Sequence, residues 1–192
     1  MSLLPSALLG AATWGAAEYL IHRFAGHEFA KSRNPFSVEH VRHHATVNYF
    51  APTSHKVAAA AAVAATVAPL ASLVLGRRRG LAFTAGLTAM YGAYEVLHRL
   101  AHTHAPKTAY GRWLRRHHFH HHFHDPSGNH GVTSPLGDFC FGTERPVGVV
   151  RVPRRQAMPW LIDERGELRP EHAADYVLVG RAPPSDLMAR EA

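Results

Sequence analysis

The sequence contains a single cysteine among its 192 residues, Cys140. One cysteine excludes an intramolecular disulfide, and it also excludes a metal site built from several thiolates. Any metal ion that this chain binds therefore depends on other side chains. The sequence contains 17 histidines, and neutral imidazole is the commonest metal ligand among side chains, so we predict histidine ligands.

Basic residues are missing from the start of the chain, since Arg23 is the first lysine or arginine. A secretory signal peptide begins with a positively charged segment, so we interpret the N-terminal apolar run as a retained first membrane span. Basic residues outnumber acidic ones by 21 to 14. The sequence nevertheless lacks a basic helix with interleaved aromatic residues, and it lacks zinc-finger and RNP-type motifs. We therefore predict no nucleic-acid partner.

Three long apolar runs carry almost no charge. They cover residues 3–21, 57–75 and 81–97, with Glu18 and Glu95 near the ends of the first and third runs. A helix needs about 17 to 25 mostly apolar residues to cross a bilayer, and three such runs exceed what a soluble domain of this size buries. The sequence therefore predicts an all-α integral membrane protein with about three transmembrane helices.

One histidine pattern occurs twice, each time at the end of an apolar run. In a helix, the motif HxxHH places its first, fourth and fifth positions on one side. His98 and His102 are one helical turn apart, whereas His22 and His27 are five residues apart, which predicts a bend or a helix end between them. The first copy comprises His22, His27, His40, His43 and His44, and the second comprises His98, His102, His118, His121 and His122.

Ten histidines in two matched sets predict two metal ions, each bound by four or five nitrogen atoms. Such ligands suit iron, zinc or copper better than calcium or magnesium. Further polar residues near the motifs are candidates for supporting contacts with the ligands. These are Glu18, Glu95, Asp138, His120, His124 and His130.

Each supporting candidate has an alternative interpretation. A carboxylate that accepts a ring N–H fixes the tautomer of a ligand histidine, but Glu18 and Glu95 are equally compatible with ion pairs to Arg23 and Arg99. Asp138 suits a helix cap, a bond to a ligand or a turn. For the three extra histidines, exposed polar surface is the alternative. Aromatic residues of the apolar runs, among them Trp14, Tyr91 and Tyr94, suit either a substrate path or packing at the membrane interface.

The charge distribution predicts the orientation of the three spans. Eighteen of the 21 basic residues lie on the side that carries the histidines, and three lie at 77–79 on the other side. The positive-inside rule places the histidine side in the cytoplasm, so we expect a cytoplasmic helical cap that holds the dinuclear metal site. The alanine-rich and arginine-rich composition is typical of a bacterial chain, which predicts the bacterial inner membrane as the location.

The distribution of proline divides the chain into two parts. Residues 1–145 form the predicted membrane-embedded domain with the histidine motifs, and residues 146–192 form a peripheral, proline-rich C-terminal tail. Within the tail we expect a turn at 163–166 between extended pieces at 159–162 and 167–169. After Pro183 we expect a disordered end.

The ordered motifs resemble those of the fatty acid hydroxylase family, within the larger sterol desaturase and fatty acid hydroxylase superfamily. The family pattern consists of HxxxxH, HxxHH, HxxxH and HxxHH, followed by GVTS and FGT. The ten histidines match the four boxes in order and spacing, and residues 131–134 and 141–143 match the ending. The resemblance covers about residues 15–145.

The resemblance implies a membrane oxygenase with a di-iron centre beneath cytoplasmic helices. Such an enzyme inserts one oxygen atom from O2 into an unactivated C–H bond of a fatty acyl or similar chain of a membrane lipid. Iron is the expected metal because zinc has no accessible redox change, although zinc can occupy such a site in vitro. The sequence shows three spans where four are usual and no haem motif of a fused cytochrome b5. We therefore expect a separate electron-donor protein of the ferredoxin or cytochrome b5 type.

Three alternatives stay open at this point. A carotenoid or sterol hydroxylase or desaturase of the same superfamily shares the histidine boxes, but the GVTS and FGT ending favours the fatty acid type. A non-catalytic membrane metal-binding or transport protein would need polar ligands inside the spans, and the middles of the three runs lack histidine and aspartate. A bis-histidine haem protein would leave most of the histidines unused. The sequence leaves the substrate, the carbon attacked and the choice between hydroxylation and desaturation undecided.

Overall fold

A computed structural model describes residues 2–181 and shows a mostly helical fold. A π-helix, Ile21–Glu28, continues the first α-helix, and short 3-10 turns lie at Ala30–Ser32, Arg154–Gln156 and Pro170–His172. In the described residues the α-helices are α1 (Leu4–Leu20), α2 (Pro35–Ala45), α3 (Thr53–Leu75), α4 (Arg77–Thr103), α5 (Ala109–Phe123) and α6 (Leu136–Phe141).

The expectation of an all-α fold is correct for most of the chain but wrong for the C-terminal part. Two strands, β1 (Val150–Pro153) and β2 (Tyr176–Val179), pair in parallel with Val150 opposite Tyr176. Each strand has only four residues, which is too short for an alternating pattern to identify a strand in the sequence. The predicted tail end after Pro183 lies outside the described residues.

Helix α4 is the centre of a three-helix layer, because both α1 and α3 pack along it. Close approach of the backbones depends on glycine. A Cβ atom at Gly10 would lie 2.0 Å from the carbonyl oxygen of Phe83, and a Cβ atom at Gly86 would lie 1.9 Å from that of Ala7. No side chain fits at these distances, so the two glycines allow α1 and α4 to touch directly.

The sequence predicts three membrane spans, and in residues 2–181 one helix, α3, is long and apolar enough to cross a membrane. Helix α1 has 17 residues. Helix α4 has 27 residues, but it begins with three arginines, and glycine, threonine and tyrosine dilute its apolar stretch. Leu70, Leu73 and Val74 of α3 are exposed, as expected for side chains that face lipid. The number of spans and the cytoplasmic cap remain predictions.

The two helices that carry HxxHH begin at defined caps. The side chain of Asn34 accepts a hydrogen bond from the backbone N–H of Ser37 at the start of α2, and Pro35 occupies the first helical position. The side chain of Thr108 accepts one from the backbone N–H of Gly111 at the start of α5. These are favoured capping residues, so the local sequence fixes where each histidine-bearing helix begins.

The described part of the C-terminal segment packs against α5. Trp160 Nε1 donates to the carbonyl oxygen of Ala101 at 3.1 Å, and the Arg112 guanidinium donates twice to the Asp175 carboxylate, at 2.5 and 2.8 Å. The predicted turn at 163–166 is confirmed, because Ile162 and Leu168 form an antiparallel bridge around it. The shared apolar core consists of Val47, Phe119, Val150, Val152, Met158, Trp160, Leu161 and Tyr176.

The shared core crosses the predicted division of the chain at residue 146. The core joins residues of the segment after 146 to Val47 and Phe119, which lie among the histidine motifs. A separate peripheral tail remains a prediction, but the segment from 147 to 181 shares its core with the helix that carries the last HxxHH.

Candidate metal centre

The ten histidines of the repeated motif converge in two clusters. Within each cluster every histidine offers a ring nitrogen that lies within 4.8 Å of those of the other members. Most of the rings are buried or half-buried. The first cluster comprises His22, His27, His40, His44 and His121, and the second comprises His43, His98, His102, His118 and His122.

The clusters do not follow the two halves of the repeat. His43 of the first half joins the second cluster, and His121 of the second half joins the first. The cause is helical geometry: positions i and i+4 lie about 40° apart around a helix, whereas i+3 lies about 60° to the other side of i. In each HxxHH, the outer pair therefore faces one cluster and the middle histidine faces the other. Each cluster consequently needs both α2 and α5.

The π-helix explains the five-residue spacing of His22 and His27. In an α-helix these two side chains would point about 140° apart, but π-helical i→i+5 bonding widens the turn and brings them to the same side. The Phe29 backbone N–H donates to the Phe24 carbonyl oxygen at 2.7 Å, one such bond. The predicted helix end between these histidines is wrong, because the helix continues through both of them with a wider turn.

Main-chain carbonyls orient three of the rings. The Nδ1–H of His22 donates to the carbonyl oxygen of His130. His43 Nδ1 donates to that of Tyr49 at 2.8 Å, and His121 Nδ1 donates to that of Gly128 at 2.7 Å. A carbonyl oxygen only accepts hydrogen bonds, so in each neutral ring the proton lies on Nδ1. The Nε2 atom of each ring is then left with a free lone pair.

In the second cluster the Nε2 atoms point at one another. His118 Nε2 lies 3.0 Å from His98 Nε2, 2.9 Å from His102 Nε2 and 3.1 Å from His122 Nε2. Nitrogen ligands about 2.0–2.1 Å from one metal ion and at right angles to each other are separated by about 2.9 Å. The spacing of the nitrogen atoms therefore matches that of imidazoles around a shared cation.

The first cluster has the same arrangement. His27 Nε2 lies 2.9 Å from His40 Nε2, 3.0 Å from His121 Nε2 and 3.4 Å from His22 Nε2. Because His22 and His121 carry their protons on Nδ1, lone pairs face the interior of the cluster. The buried Nε2 atom of His44 in this cluster, like that of His43 in the second cluster, has no hydrogen-bond partner within the described residues. Lone pairs that converge without donors fit a metal ion in each cluster.

Burial keeps these imidazoles neutral. It lowers the pKa of His27 and of His43 to about 4, and the pKa of His44 to about 3. The same cause holds the pKa of His118 well below its ordinary value. A histidine must be unprotonated to bind a metal ion, so at neutral pH these rings are in the binding-competent form.

A loop supported by Asp138 holds the carbonyl that orients His22. The two carboxylate oxygens of Asp138 accept the backbone N–H groups of His130 and Gly131, each at 2.8 Å. The hydroxyl of Thr143 donates to the same carboxylate at 2.8 Å. Asp138 therefore acts on the cluster through the main chain of the loop.

Glu18 supports the next residues of that loop. Its carboxylate accepts the backbone N–H of Thr133 at 2.8 Å and the hydroxyl of Thr133 at 2.5 Å. The ion pair between Glu18 and Arg23 that the sequence allows is absent from the described contacts, because Arg23 pairs with Glu28 at 2.6 Å. Two buried carboxylates thus fix the segment from 130 to 133 beside the first cluster.

The other supporting candidates take different positions. Glu95 pairs with Lys56, while the Arg99 guanidinium lies 4.8 Å from the centre of the Phe50 ring. The ring of His120 stacks on that of His124 at 4.9 Å, and His124 Nε2 accepts the backbone N–H of Arg151 at 2.7 Å. His130 contributes its carbonyl oxygen to the first cluster.

Sequence reasoning missed the three carbonyl groups and Lys56. A main-chain oxygen has no signature in a sequence, because every residue carries one. Lys56 lies 39 positions from its partner Glu95, and only the packing of α3 on α4 brings the two together. Thr133 belongs to the GVTS motif, but the motif alone does not identify Glu18 as its hydrogen-bond partner.

An apolar cavity of about 750 Å³ lies against the two clusters. His22 and His40 of the first cluster and His43 and His98 of the second line one part of it. Most of its remaining wall is apolar or aromatic, with the Lys56–Glu95 pair as a polar element. Its volume lies in the range of small-molecule sites, so both clusters border a space large enough for an organic substrate.

Comparison with known proteins finds a matching family and several relatives. The family model described as fatty acid hydroxylase matches residues 7–143. The ceramide very long chain fatty acid hydroxylase scs7 of Schizosaccharomyces pombe is 28% identical over 73% of this chain and 42% of its own length. Human fatty acid 2-hydroxylase is 30% identical over 72% of this chain and 39% of its own length.

Two further matches extend the comparison. The dihydroceramide fatty acyl 2-hydroxylase FAH2 of Arabidopsis thaliana is 28% identical over 70% of this chain and 58% of its own length. The solved structure of full-length scs7p, with only the hydroxylase domain visible, has the same fold, with a TM-score of 0.55 at 23% identity over 76% of this chain and 58% of that chain. The chain spans about half the length of the curated relatives that it matches.

Proposed function

Because the chain belongs to the fatty acid hydroxylase family, we propose that it is a membrane lipid hydroxylase with a di-iron site. The ten clustered histidines would hold the two iron ions, and O2 would supply the oxygen atom. The substrate is an acyl chain of a membrane lipid. The relatives named as 2-hydroxylases favour the carbon next to the acyl carbonyl as the position of attack.

The observation that carries this proposal is the position of the cavity. Histidines of both clusters form part of its wall, and the rest of that wall is mostly apolar. A hydrocarbon chain in the cavity would therefore lie directly beside both metal positions.

The protein's own groups hold the site in the required form. Bound iron would supply the redox reactivity toward O2 that amino-acid side chains lack. The Nδ1–carbonyl bonds of His22, His43 and His121 keep each Nε2 lone pair directed inward. The Lys56 ammonium, which lies in the cavity wall near His98, is positioned to donate a hydrogen bond to an acyl carbonyl.

The reaction needs a source of electrons. One oxygen atom of O2 enters the C–H bond and the other leaves as water, which consumes two electrons and two protons. We infer that a separate protein of the ferredoxin or cytochrome b5 type donates them. We further propose that α1 and α4 accompany α3 through the bacterial inner membrane, with the histidines on the cytoplasmic side.

Metal content tests the ligand assignment. We would purify the wild-type protein, His43→Ala and His121→Ala in detergent after growth with iron-57, and measure iron per chain together with Mössbauer spectra. We expect two coupled, nitrogen-ligated irons in the wild type and loss of at least one ion in each variant. His104→Ala, which changes an exposed histidine, is the matched control. Unchanged iron in both cluster variants, or a folded wild type without iron, would contradict the assignment.

Lipid analysis tests the reaction itself. A host without such an activity would express the wild type or His121→Ala, and mass spectrometry would compare the acyl chains of its lipids. We expect acyl chains that have gained one oxygen atom only with the wild type. Desaturated chains, or hydroxylated chains in equal amount with His121→Ala, would contradict the proposal.

A further inference from the structure

The cavity beside the clusters narrows toward one end of the helical layer, where α1 and α3 each pack against α4. Between the histidines and this end, aromatic rings fill the space between α1 and α4: the rings of Trp14 and Tyr91 are 4.8 Å apart, and those of Trp14 and Tyr94 are 5.7 Å apart. Toward the other end, α1 and α4 touch through Gly10 and Gly86. The space between α1 and α4 therefore narrows from the histidines to the glycines and ends where the backbones meet.

The space between α3 and α4 also narrows from the histidines toward the opposite end of the helices. The Lys56–Glu95 pair joins the two helices near the histidines. At the opposite end a Cβ atom at Gly80 would lie 2.4 Å from the backbone nitrogen of Ser72. These two contacts fix an antiparallel register that places Val63 opposite Thr88, and both residues line the cavity.

Four residues form the floor of the cavity. Each is the lining residue of α1, α3 or α4 that lies farthest from the histidines, or directly next to it. Beyond these positions, none of the described residues of the three helices lines the cavity. Leu87 is 6% exposed and Trp14 is 8% exposed, so packing fixes both, whereas Val63 on the α3 side is 40% exposed. The floor consists of Trp14, Val63, Leu87 and Thr88.

The distance from the floor to the clusters gives a length. His98 lies eleven residues after Leu87 in α4, and a rise of 1.5 Å per residue makes the separation about 16 Å. An extended hydrocarbon chain with carbon–carbon bonds of about 1.5 Å advances about 1.3 Å per carbon. The cavity therefore accommodates about twelve carbons beyond a carbon placed beside His98.

We propose that this floor sets the maximum length of the acyl chain, and that the preferred substrate has about fourteen carbons. The inference rests on the proposed hydroxylase function and adds its chain-length specificity. It distinguishes this chain from the relative named as a very long chain fatty acid hydroxylase, whose substrates would exceed the depth of about 16 Å that the helical rise gives. Leu87 and Thr88 are the specificity-determining residues, because they are the part of α4 that lines the end of the cavity farthest from His98.

Two opposite substitutions test the floor. Leu87→Ala removes volume from the floor, and Thr88→Phe adds volume. Leu73→Phe, on an outer position of α3 that is 83% exposed and outside the cavity lining, is the control for adding an aromatic ring to the helical layer. Because the first two variants act in opposite directions, misfolding of one does not remove the test.

The first readout is binding. The iron-loaded protein in detergent would be titrated with saturated straight-chain fatty acids of ten to twenty-four carbons, and the shift in thermal midpoint would report binding. We expect a maximum at about fourteen carbons for the wild type and for Leu73→Phe. We expect the maximum to move about two to four carbons upward in Leu87→Ala and downward in Thr88→Phe.

The second readout is the chain length of the hydroxylated product, measured for the same four proteins. A length maximum in binding without any hydroxylated product would overturn the proposed function and leave the floor in place. Hydroxylated product without length preference, or equal binding of chains with eighteen to twenty-four carbons, would show that the chain leaves sideways between α1 and α3. That result would overturn the chain-length inference and leave the proposed function in place.

Discussion

Single main-chain oxygens determine which nitrogen of a histidine faces its cluster. The carbonyl groups of Tyr49, Gly128 and His130 each accept an Nδ1–H and so leave Nε2 for the interior. The carbonyl of His130 is itself placed by Asp138, which accepts the backbone N–H groups of residues 130 and 131. A carboxylate without direct contact to the cluster thereby determines the tautomer of His22.

We expect Asp138→Asn to lower both the stability and the metal content of the protein. One acceptor oxygen becomes an amide NH2 group, which leaves a buried backbone N–H unsatisfied at a cost of about 1–3 kcal/mol. The loop then no longer fixes the carbonyl that orients His22, so the first cluster should lose its ion more readily than the second. Chemical unfolding and iron per chain measure the two effects.

The matched control for that change is Asp163→Asn. Asp163 also accepts two backbone N–H groups, those of Arg165 and Glu167, but in an exposed turn of the C-terminal segment. The substitution Asp163→Asn should leave the iron content at the wild-type level. Equal iron in the Asp138 and Asp163 variants would show that the loop does not control the cluster.

At the scale of helices, glycine position determines how α1 and α4 meet. Gly10 and Gly86 lie where the two backbones touch, whereas an added Cβ atom at Gly15 or Gly92 would meet nothing within 4 Å. The same two helices therefore contain glycines that packing requires and glycines that it does not. The contact at Gly10 and Gly86 also closes the space below the cavity.

We predict opposite effects of alanine at these two kinds of glycine. Gly10→Ala and Gly86→Ala should destabilise the protein by about 1–3 kcal/mol, because the added methyl group overlaps a backbone oxygen. Gly15→Ala and Gly92→Ala should stabilise it by up to about 1 kcal/mol through helix propensity. Thermal unfolding in detergent compares the four variants. Stability equal to or above that of the wild type in Gly10→Ala and Gly86→Ala would mean that the contact between α1 and α4 is looser than described.

At the scale of the whole molecule, α5 connects the two histidine clusters to the C-terminal segment. One side of α5 supplies His118 and His122 to the second cluster and His121 to the first. Its Phe119 packs in the core that includes Trp160 and the two strands. The segment after residue 146 therefore stabilises the helix on which both clusters depend.

We expect Trp160→Ala to destabilise the protein by about 3–5 kcal/mol, the usual cost of removing a buried aromatic side chain. Because α5 serves both clusters, iron should be lost from both rather than from one. The control is Val149→Ala, which shortens a side chain that is 51% exposed in the same segment. Full iron content in Trp160→Ala would support a tail that is independent of the metal centre.

The sequence predicted those parts of the protein that depend on neighbouring residues. The turn at 163–166 rests on local chemistry of this kind. The repeated spacing of the ten histidines predicted that they lie together, and the structure brings all ten into two clusters. Their role as metal ligands stays a prediction.

Tertiary structure decided everything that depends on distant residues. It assigned His43 and His121 to the clusters opposite their own halves of the repeat, and it placed α1 against α4 to form the cavity. It also paired Glu18 with Thr133, 115 positions away. Spacing along a helix fixes the direction of a side chain, but only the packing of helices fixes what that side chain meets.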